Sequence, residues 1–95
     1  MEDLDVSDLT FSGFVLSLAS TAAVHFGDLP DPATGRKGET DLSAAARIIE
    51  VLGMLQQKTK GNLITEEERL LDDLLYELRL RFVQAQQDDK RIIEP

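Results

Sequence analysis

The sequence contains no cysteine and no tryptophan, and its aromatic residues are four phenylalanines and one tyrosine. Without cysteine the chain forms neither a disulfide nor a thiolate metal site. With so few aromatic residues, its core must be built mainly from aliphatic side chains. A chain of 95 residues allows one domain with a thin core. Because small domains without cross-links often gain stability by oligomerisation, we expect this protein to associate with another chain.

Basic residues are also scarce: ten lysines and arginines stand against 18 aspartates and glutamates, which gives a net charge of −8. Nucleic acids and anionic membrane surfaces are bound through basic faces, so this charge argues against both as partners. The first eight residues, MEDLDVSD, lack the basic and apolar regions of a signal peptide. We predict that residues 1–8 are an acidic tail and expect a cytoplasmic protein.

The segment from Leu9 to Gly27 has no formally charged residue. Its many hydroxyl groups set it apart from a membrane span, which needs about 20 mostly apolar residues. We therefore predict a helix at about 10–26, with an apolar face and an opposite face of small residues, namely Gly13, Ser17 and Ser20. Small residues at this spacing allow another helix to approach closely. An uncharged helix is normally buried on two sides, so we expect a second chain to help cover it.

Two further helices are predicted at about 41–60 and 65–87, and their short connection indicates an antiparallel hairpin. Thr65 and Glu68 have the spacing of a capping box at the start of the third helix. The hydrophobic pattern ends at residue 87, so residues 88–95 are predicted to form a charged, disordered tail. The predicted fold is all-α: a single three-helix domain spanning residues 9–87.

The third helix carries two apolar stripes. Its core stripe contains Leu71, Leu74, Leu75, Leu78 and Phe82. The second stripe contains Tyr76, Leu80 and Val83, and Arg69 and Arg79 border it. Tyrosine and arginine around aliphatic residues are typical of protein interfaces, although a helix buried on both sides within one chain would show the same pattern. We favour a partner surface, most simply in a twofold homodimer, with the small-residue face of the first helix as a second candidate.

The segment HFGDLPDPATGRKGET, residues 25–40, holds the only histidine, two of the three prolines and three of the six glycines. Glycine suits the position after a helix, and proline and glycine suit a tight turn. We therefore interpret five residues as structural: His25, Gly27, Pro30, Pro32 and Gly35. The alternative is a metal site or acid–base pair formed by His25 with Asp28 and Asp31. Metal sites generally need three or four ligands, and this chain offers one imidazole.

The sequence contains no recognisable set of catalytic residues. The chain has no G-x-S-x-G motif for a serine nucleophile, and GRKGET does not supply the G-x-x-x-x-G-K-[ST] pattern that cradles phosphates. We predict a protein that is not an enzyme and carries no cofactor.

Two long stretches, FSGFVLSLASTAAVHFGDLPDPATG and IIEVLGMLQQKTKGNLITEEERLLDDLLYELRLRFV, resemble the bacterial domain of unknown function 1844 family. The resemblance covers residues 11–83. It rests on the F-x-x-F start, the histidine-to-glycine turn, and the K-T-K-G-N-L and L-L-Y-E-L-R motifs. Ile64, between Leu63 and Thr65, departs from the family pattern. The resemblance implies a small, cytoplasmic, all-helical protein without an assigned enzymatic activity, and it supplies no catalytic residues.

The sequence as a whole predicts a non-enzymatic protein-interaction module, a small helical adaptor or regulatory subunit. A specific version acts in a regulatory hetero-complex on a bacterial signalling GTPase or response regulator. The alternative function is a metal-binding protein or metal-dependent enzyme that uses His25 with Asp28 and Asp31.

Overall fold

The computed structural model describes the backbone of residues 9–93 and the side chains of residues 9–88. It contains three helices: α1 (Phe11–Phe26), α2 (Leu42–Lys58) and α3 (Thr65–Ile93). All three pairs of helices pack against each other, and the described part of the chain contains no strand. The predicted all-α, three-helix fold is confirmed.

Residues at both ends of the chain lie outside the described part. These are residues 1–8, where the acidic tail was predicted, and the last two residues, 94 and 95. None of the helices in the described part combines the length and the apolarity that crossing a membrane requires.

Capping groups explain where α1 begins and ends. The Thr10 side-chain oxygen accepts a hydrogen bond of 2.9 Å from the backbone N–H of Gly13 and so caps the first turn. At the other end, Gly27 has a φ of 84°, a left-handed conformation that costs glycine little because it has no Cβ. Its N–H donates to the carbonyl of Val24, which satisfies one of the last carbonyls of the helix.

A tight turn follows α1. The Asp31 carbonyl accepts from the N–H of Thr34 at 3.2 Å and from that of Gly35 at 2.7 Å. The Asp31 side chain also accepts from the N–H of Ala33 at 2.8 Å. Pro32 therefore occupies the second position of the turn, where its restricted φ is favourable, and Gly35 closes the turn with a φ of 71°.

Asp41 is the N-cap of α2: its carboxylate accepts a hydrogen bond of 3.1 Å from the backbone N–H of Ala44. The helix ends at Lys58, two residues before the predicted end at 60. The Thr59 hydroxyl donates to the carbonyl of Leu55 at 2.7 Å, and Gly61 reverses the chain with a φ of 82°.

The capping box predicted from Thr65 and Glu68 is wrong by one residue. The Ile64 carbonyl accepts the first helical bond, 3.0 Å from the N–H of Glu68, so Ile64 is the residue that caps α3. The carboxylate of Glu67, rather than that of Glu68, accepts from the N–H of Ile64 at 3.1 Å. Leu63, just before the cap, packs against the core, so only Ile64 lies between this buried residue and the first residue of α3.

The end predicted for α3 at residue 87 is also too early. The helix continues to Ile93, so residues 88–93 are helical and not part of a disordered tail. This segment contains neither glycine nor proline, and the first helix-breaking residue is Pro95. Loss of the hydrophobic pattern therefore marked the end of core packing and not the end of the helix.

The core is aliphatic apart from one phenylalanine, and all three helices contribute to it. Its buried residues are Val15, Ala22, Phe26, Ala45, Leu52, Leu71, Leu75, Leu78 and Ala85. The hairpin is antiparallel: Gln56, near the end of α2, reaches Asp72 early in α3, and Gly53 lies beside Arg79. With α1 packed against both helices of the hairpin, the side of α3 that faces away from the core is left open.

Candidate interaction surface

The open side of α3 carries three large apolar side chains. Tyr76 is 67% exposed, Leu80 44% and Val83 47%. Their spacing of four and three residues places them in one line about 10 Å long on the helix surface. Among the residues that the structure describes, α3 is therefore buried on one side only, and the second apolar stripe of the sequence is exposed.

Charged residues surround this apolar line at the same helical spacing. We call the seven residues together the outer face of α3: Arg69, Asp72, Asp73, Tyr76, Arg79, Leu80 and Val83. Asp72 accepts a hydrogen bond from the side-chain amide of Gln56. By contrast, Arg69, Asp73 and Arg79 make no ion pair with any residue that the structure describes.

Arg79 reaches across to α2 and lies close to Gly53. A Cβ atom on Gly53 would stand 3.5 Å from a terminal guanidinium nitrogen of Arg79. Residues of both helices of the hairpin, with Arg79 between them, line a shallow groove.

Two cavities lie along this groove, and both are lined by Arg79 and Val83. One, of about 450 Å³, is bounded mainly by residues of the outer face together with Gln56 and Leu75. The other, of about 300 Å³, is bounded by Phe82 and by Ala46, Ile49 and Glu50 of α2. The apolar line of α3 is therefore one wall of a groove, a shape that can receive the side chains of a partner.

The small-residue face of α1 is the second exposed surface. Gly13, Ser17 and Ser20 are all exposed. The Ser17 hydroxyl donates a hydrogen bond of 2.8 Å to the carbonyl of Phe14, so its donor is satisfied within α1. Phe14 and Leu16 are also exposed on α1, and the helix has no charged side chain. This surface can pack against a helix but offers no charge to orient one.

The turn after α1 closes over one end of this face. A cavity of about 520 Å³ is lined by Ser17, Ser20, Thr21, Val24, His25, Asp31 and Pro32. The fold thus brings together residues that the sequence placed in two separate groups, the small-residue face and the turn.

His25 is half-buried beside this cavity, and its backbone has a structural contact. Its carbonyl accepts a hydrogen bond of 2.7 Å from the N–H of Asp41, which ties the end of α1 to the start of α2. Gly27 follows in the left-handed conformation, and Pro30 is exposed. Among the described residues, no group of three or more histidine, aspartate or glutamate side chains is placed to hold a metal ion.

Asp28 is engaged elsewhere, in a contact that sequence reasoning missed. Both of its carboxylate oxygens accept hydrogen bonds of 2.8 Å from the guanidinium of Arg81. The guanidinium carbon also lies 5.1 Å from the ring centroid of Phe26, within the range of a cation–π interaction. The hydrogen bonds from Arg81 hold the pKa of Asp28 below its usual value, although partial burial opposes this shift. These contacts fasten the turn to α3.

One protein-family model matches the part of the chain that carries nearly all of these features. The model of the domain of unknown function (DUF1844) matches residues 8–84. The chain belongs to this family. The matched range includes α1, the turn, α2 and the whole outer face of α3, whereas the last part of α3 lies beyond it. No curated protein and no solved structure matches the chain.

Proposed function

We propose that this member of the family is a non-enzymatic, cytoplasmic protein-interaction module, a small helical adaptor or regulatory subunit that binds a protein through the outer face of α3. The observation that carries the proposal is the line of Tyr76, Leu80 and Val83, exposed beside a groove in a small domain with no cross-links. Exposed apolar groups that adjoin one another are typical of interaction sites.

The composition of this face supports the same proposal. Tyrosine and arginine are enriched at the energetically important positions of protein interfaces, and Tyr76 lies next to Arg79. Fully burying an apolar side chain contributes about 1.5–3 kcal/mol. Since all three side chains are already partly covered, a partner would gain on the order of 3 kcal/mol from them, a substantial part of the free energy of a micromolar complex.

Self-association is part of the proposal, and the outer face of α3 is its first candidate. The uncharged face of α1 at Gly13, Ser17 and Ser20 would then remain for a second protein in a regulatory hetero-complex. A specific version of the proposal is that this second protein is a bacterial signalling GTPase or a response regulator, whose activity the subunit would regulate.

The experiment is affinity capture from the native cytoplasm with tagged protein, followed by mass spectrometry and sedimentation analysis. Leu80→Glu places a charge on the outer face of α3, and Ser17→Arg blocks the face of α1. Met54→Glu is the matched control, because Met54 is 50% exposed but lines none of the grooves described above.

We expect Leu80→Glu to lose a partner or the self-association that both wild type and Met54→Glu retain. Equal binding by wild type and Leu80→Glu would contradict the proposed role of the outer face. Metal analysis of the same purified protein addresses the alternative function: stoichiometric zinc or iron that is lost in His25→Ala would favour a metal site at the turn.

A further inference from the structure

We infer that two copies of this chain pair through the outer faces of α3, as antiparallel helices related by a twofold axis that passes close to Tyr76. This inference rests on the proposed function and names the partner and its arrangement. It is carried by the positions of the charged and apolar residues on the outer face.

The outer face is symmetric in position about Tyr76. Its other residues lie three, four and seven positions before and after this tyrosine in the sequence. In an antiparallel pair with the axis at Tyr76, each residue faces the one at the same distance on the opposite side. Arg79 then meets the partner's Asp73, and Val83 meets the partner's Arg69.

The charges are complementary in this arrangement. Two arginines and two aspartates make the face neutral, on a chain whose net charge is −8 and which otherwise repels a copy of itself. Asp73 and Arg79 make no ion pair with the described residues of their own chain. Twofold symmetry joins them in two equivalent ion pairs, one on each side of the axis.

The same residues make a parallel arrangement of the two helices unfavourable. If the two copies of α3 ran in the same direction in register, Arg79 would face the partner's Arg79, and Asp73 would face the partner's Asp73. Like charges placed opposite each other across an interface are costly. The charge pattern therefore favours the antiparallel pair.

Two of the three apolar residues, Tyr76 and Val83, are also covered in the antiparallel pair, whereas Leu80 faces the partner's Asp72. The two Tyr76 rings meet at the axis, where aromatic side chains contribute most to an interface. The aliphatic part of the partner's Arg69 lies over Val83, since long arginine side chains cover apolar surface while their charge stays in water. From Arg69 to Val83 the contact is about 21 Å long.

Cysteine cross-linking tests the position of the axis, and the natural chain has no cysteine that would interfere. In Tyr76→Cys the two thiols lie near the axis, within the short Cβ–Cβ distance that a disulfide needs. With oxidised glutathione as the oxidant, we expect this variant to form a covalent dimer at least about tenfold faster than Met54→Cys. Equal rates would overturn the inference.

Charge reversal tests the pairing itself and keeps Tyr76 in place. Each of Asp73→Arg and Arg79→Asp creates two repulsive contacts per dimer, which should weaken dimerisation about tenfold or more. The variant with both substitutions should regain dimerisation, because the ion pairs are restored with reversed sign. A mixture of the two single variants should form a heterodimer that neither forms alone.

Sedimentation velocity at low micromolar concentration measures these outcomes, and circular dichroism verifies that each variant is folded. If the double variant or the mixture stays monomeric, the antiparallel register is wrong. A monomeric wild type would overturn the inference but not the proposed function, because capture of another protein that depends on Leu80 would still identify the outer face as a binding site.

Discussion

The contact between Arg81 and Asp28 is the most specific tertiary interaction at the surface, and its removal has a calculable cost. The arginine donates to both carboxylate oxygens and covers the ring of Phe26, which is buried at the end of α1. Arg81→Ala removes both contacts. We expect it to loosen the turn from α3 and to lower the free energy of unfolding.

The magnitude follows from the exposure of the two side chains, 32% for Arg81 and 43% for Asp28. Partly exposed ion pairs contribute at most about 1 kcal/mol, even with good geometry. The cation–π contact adds about 0.5–1 kcal/mol. The expected total is therefore at most about 2 kcal/mol, which for a domain of this size corresponds to a decrease in Tm of at most about 10 °C.

The assay is equilibrium denaturation at one protein concentration, with Arg81→Ala, Asp28→Ala and the double variant forming a thermodynamic cycle. We expect a coupling energy of about 1 kcal/mol between the two residues. Arg47→Ala is the matched control, because its exposed pair with Glu50 has a distance of 3.9 Å and should contribute almost nothing. A coupling energy near zero, or a cost for Arg81→Ala no larger than that of Arg47→Ala, would refute the reasoning.

The same contact predicts a dependence on pH. Arg81 holds the pKa of Asp28 in the folded protein below its ordinary value of 3.8. The stabilisation by the ionised carboxylate is therefore complete above the unfolded pKa and is lost as the pH falls through the lower, folded pKa. We expect Asp28→Asn to be less stable than wild type at about pH 5 and above, and the difference to shrink below about pH 3. A difference that stayed constant down to low pH would contradict this mechanism.

Three further predictions concern the turns and helix ends, and each is measured by denaturation. Gly35→Ala should cost about 1 kcal/mol, because residue 35 has a positive φ while nothing lies within 4 Å of the added Cβ; an unchanged stability would exclude backbone strain there. Asp41→Ala should cost about 1 kcal/mol through loss of the cap of α2, and Asp41→Asn should recover most of it. Glu67→Gln should be more destabilising than Glu68→Gln by roughly 0.5 kcal/mol, since only Glu67 bonds to the N–H of Ile64; the reverse order would favour the capping box of the sequence pattern.

The sequence by itself determined the three helices, the stripe of α3 that packs in the core, and the ends marked by Gly27 and Asp41. These features depend on residues three or four apart, or on a single residue and its neighbours, so local patterns are sufficient to predict them. The second stripe of Tyr76, Leu80 and Val83 was visible in the same way, but a helix buried on both sides would show the same pattern, so only the packing of the three helices established that it is exposed.

Tertiary structure decided the features that join distant or competing residues. Asp28 and Arg81 are 53 residues apart, and no local pattern distinguishes Arg81 from the neighbouring Arg79. α3 begins at Thr65 as predicted, but its cap is Ile64 with Glu67 and not Thr65 with Glu68. Likewise, the groove along α3 exists because packing of the hairpin brings side chains of α2 beside those of α3. Side-chain periodicity along one helix predicts which way a residue points, but its partner is determined by how the helices pack.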